Sequence, residues 1–368
     1  MTSGRVPVPR HVVWGEIGAA RFPVCIGPGE ITNIGDLWIE RRVGDAALVV
    51  FDGAVAPLAQ AVEDRLRAAG VRVVPVAVPP GEPSKTLQEL ERICRVAAQR
   101  GIRRTDAVVA IGGGVIGDLA GFVAASYQRG IKLVHVPTTL LAMVDSAIGG
   151  KTGVDLPEAK NYVGAIWQPQ FVVMDPDVLA GLPPRELACG FAEVVKYGLL
   201  DSSELFARVE AWPAPLPGDP GALVELIRDC VAHKLNVVSQ DELEQGLRAS
   251  LNLGHTVGHG IEAAAGYGRY HHGEAISLGL LAALRIGHEL CGAPVTWRSR
   301  TAAILTRHGL PTQLAADVPT DDILDAMARD KKASATSFNM VLVQEPGTVV
   351  LRQNPSRELV VAAIEELR

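Results

Sequence analysis

The first half of the chain is organised by six short apolar runs separated by stretches with helical spacing. The runs are FPVCI (22–26), AALVVF (46–51), VRVVPVAV (71–78), DAVVAI (106–111), KLVHVP (132–137) and FVVMD (171–175). Helix-like stretches such as 55–69 and 86–100 lie between several of them. Near-continuous Val, Ile and Ala runs suit strands buried on both faces, and alternation with helices suits a parallel sheet wrapped by them. The pattern changes after AGLPPRE (180–186). Helical periodicity then covers 184–199, 222–240, 246–265, 273–291 and 298–308, with AWPAPLPGDPG (211–221) as punctuation. Near the end, SFNMVLVQ and TVVLR flank EPG as a hairpin, and a last helix is expected over 355–367. The expected fold is therefore α/β. A parallel-sheet domain over 1–180 precedes a mainly α-helical domain over 181–368, and the crevice between such halves is where a site is expected.

A formal charge of −6 argues against a nucleic-acid partner. An anion would have to be met by locally gathered Lys and Arg. The five cysteines are scattered, without a Cys-x-x-Cys pair, and read as small buried residues in a reducing compartment. The opening MTSGRVPVPRHVVWGE has no long apolar segment, and no apolar run reaches the length of a membrane span. A cytoplasmic protein with no membrane partner is expected.

Four stretches carry chemistry. In AVVAIGGGVIGDLAG (107–121) a strand runs into Gly112, Gly113 and Gly114 and a helix start, an arrangement that lets backbone approach a pyrophosphate. Its spacing is not G-x-G-x-x-G, and a plain tight turn is the competing reading. Asp118 also suits the helix dipole of the first turn. VPTTLLAMVDSAIGGKTGVDLPEAKN (136–161) sets Asp145, Lys151, Asp155, Lys160 and Asn161 among Thr, Ala and Gly, a composition suited to a ligand loop. In LACGFAEVVKYGLL (187–200), Glu193 and Lys196 share a face of an otherwise apolar helix. Four of the nine histidines fall within 251–277. His255 and His259 face the same way on a helix, while His271 and His272 sit before the next one. Spacing alone leaves His255 with His259, or His255 with His272, as the metal pair, with Glu193 as an oxygen ligand. His11, His135, His233, His288 and His308 lack such company. The cations Arg129, Lys151, Lys160, Lys196, Lys234, Arg248, Lys331 and Lys332 together suit a substrate with more than one negative group.

These stretches, with PPGEPSKTLQELE (79–91), DELEQGLRASLNLGHTVGHGIE (241–262) and HHGEAISLG (271–279), resemble the 3-dehydroquinate synthase family of sugar phosphate cyclases along nearly the whole chain. The resemblance implies a Rossmann-like first domain, a zinc- and substrate-binding helical second domain, and a homodimer. It implies zinc, with cobalt able to substitute, on Glu193, His255 and His272. It implies NAD on Asp52, Glu82, Lys85, the glycines 112–114, Asp118, Thr138, Thr139 and Lys160. The implied substrate is 3-deoxy-D-arabino-heptulosonate 7-phosphate, converted to 3-dehydroquinate in the shikimate pathway. The steps are transient oxidation, β-elimination of phosphate, re-reduction and aldol closure. Its phosphate would meet Lys151, Asn161, Asn252, His259 and one of Lys331 and Lys332, with Arg129 reaching in from the neighbouring subunit. Lys234 and Arg248 would take the carboxylate, and Asp145 and Lys196 the hydroxyls near zinc.

The stretch 333–347 and the positions Asp155 and Ala159 depart from the family pattern. Competing readings are an aminodehydroquinate synthase, a cyclase of sugar phosphates without a carboxylate, a metal-dependent polyol dehydrogenase, and a nucleotide-binding protein without turnover.

Overall fold

The computed structural model describes residues 10–266, 268–329 and 338–368. Lys331 and Lys332 lie outside the described residues. Two compact units are present. One runs to Leu182 and takes in Asp219–Leu243; the other comprises Pro183–Gly218 and the chain from Glu244 onward. The helix Pro220–Gln240, grouped with the second half on sequence, is thus part of the first unit.

The first unit holds β1 (His11–Ile17), β2 (Ala20–Ile26), β3 (Ala46–Asp52), β4 (Arg72–Val78), β5 (Ala107–Gly112), β6 (Lys132–Pro137), β7 (Lys151–Leu156), β8 (Ala159–Ile166) and β9 (Phe171–Met174). Seven form one sheet in the order β1-β2-β9-β6-β5-β3-β4. Its pairings are parallel except for β1 with β2. All six apolar runs became strands of this sheet. Alternate residues of one strand go to opposite cores: Leu48 and Val50 pack with Val108 and Ala110, while Ala47 and Val49 pack with Val109 and Ile111. That two-sided burial is why the runs read as continuous rather than alternating.

Two features escaped the sequence reading. β1 is an edge strand whose exposed Val12 and Trp14 alternate with more covered neighbours, so it lacks a solid apolar run. β7 and β8 form an antiparallel hairpin where a ligand loop was expected. Their Lys, Asp, Gly and Asn content is poor in strand formers. Here Gly153 faces Gly164 across the ladder, and a Cβ on Gly164 would lie 2.1 Å from the Thr152 carbonyl oxygen.

Asp106 closes one end of the sheet. Fully buried, it accepts from the Ala46 N–H at 3.2 Å and the Arg103 N–H at 2.7 Å. Asp106→Ala would leave these donors without that acceptor. The expected cost is about 2 kcal/mol, at 1–3 kcal/mol for a buried polar group left unsatisfied. A lowered urea midpoint at unchanged slope would show it; an unchanged midpoint would mean that water replaces the carboxylate.

The second unit contains helices Pro184–Asp201, Ser203–Glu210, His255–Ala264, His272–Cys291, Thr296–Arg307, Thr320–Arg329 and Arg357–Glu365, with the expected hairpin as β10 (Met340–Glu345) and β11 (Thr348–Gln353). The helix expected over 246–265 is broken. A 3-10 segment, Leu247–Asn252, precedes Gly254 at φ 78°, and the α-helix starts at His255. That left-handed turn is open to glycine without steric cost. Among the described residues, no helix is long and apolar enough to cross a membrane.

Candidate functional site

In the first unit, β5 ends at Gly112 and the helix Gly114–Ser126 begins with Gly113 as its N-cap, without a side-chain cap. The first-turn N–H groups are therefore not tied up by a capping side chain, and this suits a phosphate. A Cβ on Gly113 would come within 3.1 Å of Thr139 Cγ2. The Thr138 N–H donates to the Gly112 carbonyl at 2.9 Å, and Thr139 Oγ1 accepts from the Ala142 N–H at 3.1 Å. Lys85 Nζ donates to Asp118 at 2.7 Å and lies 3.8 Å from Glu82, which is 3.9 Å from Lys160 Nζ. Burial works against the Lys85 ammonium, but Asp118 and Glu82 outweigh it and hold its pKa above the ordinary lysine value. Asp52 accepts from the Ala54 N–H at the end of β3. Carboxylates, a lysine and a glycine turn at the carboxyl ends of parallel strands fit a dinucleotide, whose hydroxyls need acceptors and whose phosphates need N–H donors.

Asp145 lies in a π-helical turn, Ala142–Ser146. Such turns recur at functional sites. Lys234 Nζ donates to the Asp145 carbonyl at 2.7 Å and sits 3.0 Å from its carboxylate. Lys151 opens β7 and is exposed. Asn161 is exposed at φ 55°, with its N–H donating to Asp155 at 2.7 Å. Asp155 thus shapes the hairpin. Arg129 is exposed and follows Gln128 in the left-handed region, at φ 66° and 50°. Two adjacent non-glycine residues there are uncommon.

The second unit brings Glu193, His255 and His272 together, with one ligand atom from each within 4.8 Å of the others. Glu193 Oε1 is 3.1 Å from His272 Nε2 and 3.5 Å from His255 Nε2. A tetrahedral zinc with N and O ligands at about 2.0–2.2 Å sets them about 3.3–3.6 Å apart. The 3.5 Å spacing falls in that range and the 3.1 Å spacing is about 0.2 Å short of it, so a small outward shift of His272 admits a divalent metal with a fourth position for substrate. Glu193 Oε2 faces Lys196 Nζ at 2.6 Å, and both side chains are 1% exposed. His255 Nδ1 lies 3.1 Å from the Leu253 carbonyl, which can only accept; the proton is therefore on Nδ1 and the Nε2 lone pair is available. Burial drives the His255 pKa down to about 3. Burial also opposes charge on His272, but Glu193 and Glu262 outweigh it and hold that ring at about 9.

His259 is not a member of the donor group, although its ring centroid is 5.3 Å from that of His255. His271 is the N-cap of helix His272–Cys291 in a capping box with Glu274, and its Nδ1 meets Glu186 at 3.1 Å. Arg248 is buried in the Leu247–Asn252 segment. Asn252 Nδ2 donates to Glu244 at 2.7 Å, and Glu244 is held at φ 60°. Sequence reading missed Glu244 and Glu262. Glu262 follows His259 by three positions on the same helical face, and that periodicity was the available signal.

Helix approach explains the cluster. A Cβ on Gly273 would fall 2.2 Å from the Cys189 carbonyl oxygen, so the start of the His272 helix lies against the Glu193 helix. A Cβ on Gly279 would fall 2.0 Å from the Gly254 carbonyl oxygen, and one on Gly258 would fall 2.9 Å from Ile276 Cδ1. These contacts bring the His255 helix against the His272 helix.

Comparison with known proteins gives a consistent result. Residues 75–189 match the family described as 3-dehydroquinate synthase N-terminal, and residues 190–333 match 3-dehydroquinate synthase C-terminal. The chain is 44% identical over 358 residues to a 3-dehydroquinate synthase of Symbiobacterium thermophilum, covering 96% of this chain and 99% of that protein. A 2-deoxy-scyllo-inosose synthase solved with carbaglucose-6-phosphate, NAD+ and Co2+ superposes with a TM-score of 0.89 at 27% identity, over 97% of this chain and all of that one. A 2-epi-5-epi-valiolone synthase of Streptomyces hygroscopicus, with NAD+ and Zn2+ bound, gives a TM-score of 0.84 at 26% identity, over 96% of this chain and 98% of that one.

Proposed function

Because this chain belongs to the 3-dehydroquinate synthase family, we propose how its own residues divide the work of a phosphate-eliminating cyclase. The reaction converts 3-deoxy-D-arabino-heptulosonate 7-phosphate to 3-dehydroquinate and phosphate. The observation that carries the reading is the Glu193–His255–His272 donor set, in which Glu193 is buried and meets Lys196 through its outer carboxylate oxygen.

When bound, NAD supplies a reversible hydride acceptor, and zinc or cobalt on Glu193, His255 and His272 supplies a Lewis acid that polarises a substrate hydroxyl. Asp52, Glu82, Lys85, Gly112, Gly113, Gly114, Asp118, Thr138, Thr139 and Lys160 are assigned to the dinucleotide. Burial raises the pKa of Asp118 and of Glu82, and Lys85, paired with Asp118 at 2.7 Å and 3.8 Å from Glu82, works against that rise and holds the carboxylates in position. Lys196 holds Glu193 in place through their ion pair and, with Asp145, is assigned to substrate hydroxyls.

The phosphate is assigned to Lys151, Asn161, Asn252 and His259, with Lys331 or Lys332. Arg129, exposed beside a left-handed residue, is assigned to the neighbouring subunit's phosphate site in a homodimer. Lys234 and Arg248 are assigned to the carboxylate. Each is a cation largely shielded from water, and such a cation attracts an anionic group more strongly than an exposed one does. The two cations also favour a carboxylate-bearing substrate over the neutral-ring sugar phosphates of related cyclases. The protein's main task is to hold phosphate, carboxylate and reacting carbon in register. We place the enzyme in the cytoplasm.

The test is phosphate release from 3-deoxy-D-arabino-heptulosonate 7-phosphate with NAD, with and without a chelator, while NADH absorbance is followed. Metal-dependent release with no net NADH and equimolar dehydroquinate is expected. Stoichiometric NADH would indicate a polyol dehydrogenase. Turnover of only the amino analogue or a carboxylate-free sugar phosphate would move the substrate to that class.

A further inference from the structure

The face of helix His255–Ala264 that carries His255 and His259 also carries Glu262, three residues on. Glu262 is 5% exposed. Its Oε2 lies 3.8 Å from His272 Nδ1, on the opposite side of the ring from Glu193, which meets Nε2 at 3.1 Å. The two histidines of the donor set are thus backed differently. His255 has a neutral carbonyl, Leu253, behind its Nδ1 at 3.1 Å, and His272 has a carboxylate.

We propose that Glu262 is a positioning residue for the metal site: it fixes His272 with the proton on Nδ1 and Nε2 toward the metal, and makes His272 the more strongly donating imidazole. The proposal rests on the reading of Glu193, His255 and His272 as metal ligands. The physical ground is general. A carboxylate behind a ligating imidazole sets its tautomer and orientation and raises its basicity more than a carbonyl does. The 3.8 Å separation is an ion-pair distance, about 1 Å longer than a hydrogen bond, and a small movement of either side chain closes it. Burial of Glu262 keeps water from screening the interaction.

The experiment uses the full-length protein and Co2+ as the probe. Co2+ affinity is measured by competition with a chromophoric chelator for wild type, Glu262→Gln and Glu262→Ala. NAD affinity and the thermal midpoint of the chelator-treated protein are measured alongside. Gln keeps the shape and an accepting oxygen but removes the charge; Ala removes all three. The expected result is Co2+ affinity lowered about 10-fold in the Gln variant and up to about 100-fold in the Ala variant, the range for partners behind metal ligands. The cobalt visible bands should shift, while NAD affinity stays at the wild-type value, and the thermal midpoint of the metal-free protein separates any general loss of stability from the loss of metal affinity. Co2+ affinities within twofold of wild type in both variants would overturn the proposal.

A second measurement does not depend on how the variants fold. Proton NMR of cobalt-loaded wild type should show two hyperfine-shifted imidazole N–H signals protected from exchange, one for each ligating ring. The His272 side chain is 34% exposed, so its N–H stays protected only if a partner holds it. One protected signal instead of two would also overturn the assignment. Wild type that takes up no Co2+ would overturn this proposal together with the metal reading, whereas normal uptake with indifferent variants would overturn this proposal alone.

Discussion

His272→Ala is expected to lower turnover about a thousandfold or more and to reduce retained metal sharply, while NAD binding stays near the wild-type level. His272 supplies one of three donors around the position faced by Glu193 Oε1. With two donors left, the site falls below the three protein ligands that hold a catalytic zinc. Polarisation of a hydroxyl by such a metal is worth several kcal/mol, and about 4 kcal/mol corresponds to roughly 10³ in rate. His259→Ala is the instructive contrast. Helical spacing makes His259 as good a partner for His255 as His272 is, but His259 does not belong to the donor group. Its replacement should impair phosphate release while leaving metal content unchanged. Metal content measured on both purified variants decides the matter. Loss in the His259 variant with retention in the His272 variant would restore the pair four residues apart and sink the assignment.

Gly279→Ala is expected to destabilise the protein by about 3 kcal/mol or more and to weaken metal binding at the same time. Helix propensity predicts the opposite sign, since alanine in a helix interior is favoured over glycine by roughly 0.5–1 kcal/mol. Packing overrides it here. The added methyl would sit 2.0 Å from the Gly254 carbonyl oxygen and 2.8 Å from the Gly258 nitrogen. Both are backbone atoms, so no flexible side chain can swing away. The His255 and His272 helices must separate, at a cost at or above the upper end of the 1–3 kcal/mol usual for overpacking. At roughly 2–4 °C per kcal/mol for a unit of this size, the thermal midpoint should fall by roughly 6–12 °C. A midpoint within 2 °C of wild type, with Co2+ affinity intact, would show that the two helices can part without disturbing the donor set.

Much of this fold was legible because it depends on local pattern. The strands 46–51, 106–111 and 132–137 announce themselves as unbroken apolar runs, since a sheet covered on both faces asks every side chain to be apolar. The glycines 112–114 mark the strand-to-helix turn because close backbone approach asks for them. Where the pattern was diluted, the reading faltered. β7 and β8 carry the residues of a loop, and β1 shows one face to solvent. Gly254 broke a helix that periodicity carried straight through from 246 to 265.

The site divides in the same way. Sequence periodicity placed His255 and His259 on one helical face and identified Glu193 and Lys196 as misplaced charges in an apolar helix, and the family motifs named the candidates. Periodicity relates residues within a segment and carries no distance between segments. The grouping of His272, rather than His259, with Glu193 and His255, the carboxylate of Glu262 behind His272, and the Lys234–Asp145 pairing are distances between separate elements. Among the helices that carry Glu193, His255 and His272 those distances are set by how closely the backbones approach, at Gly273 on Cys189 and at Gly279 on Gly254, where the absence of a side chain lets three helices bring these side chains together.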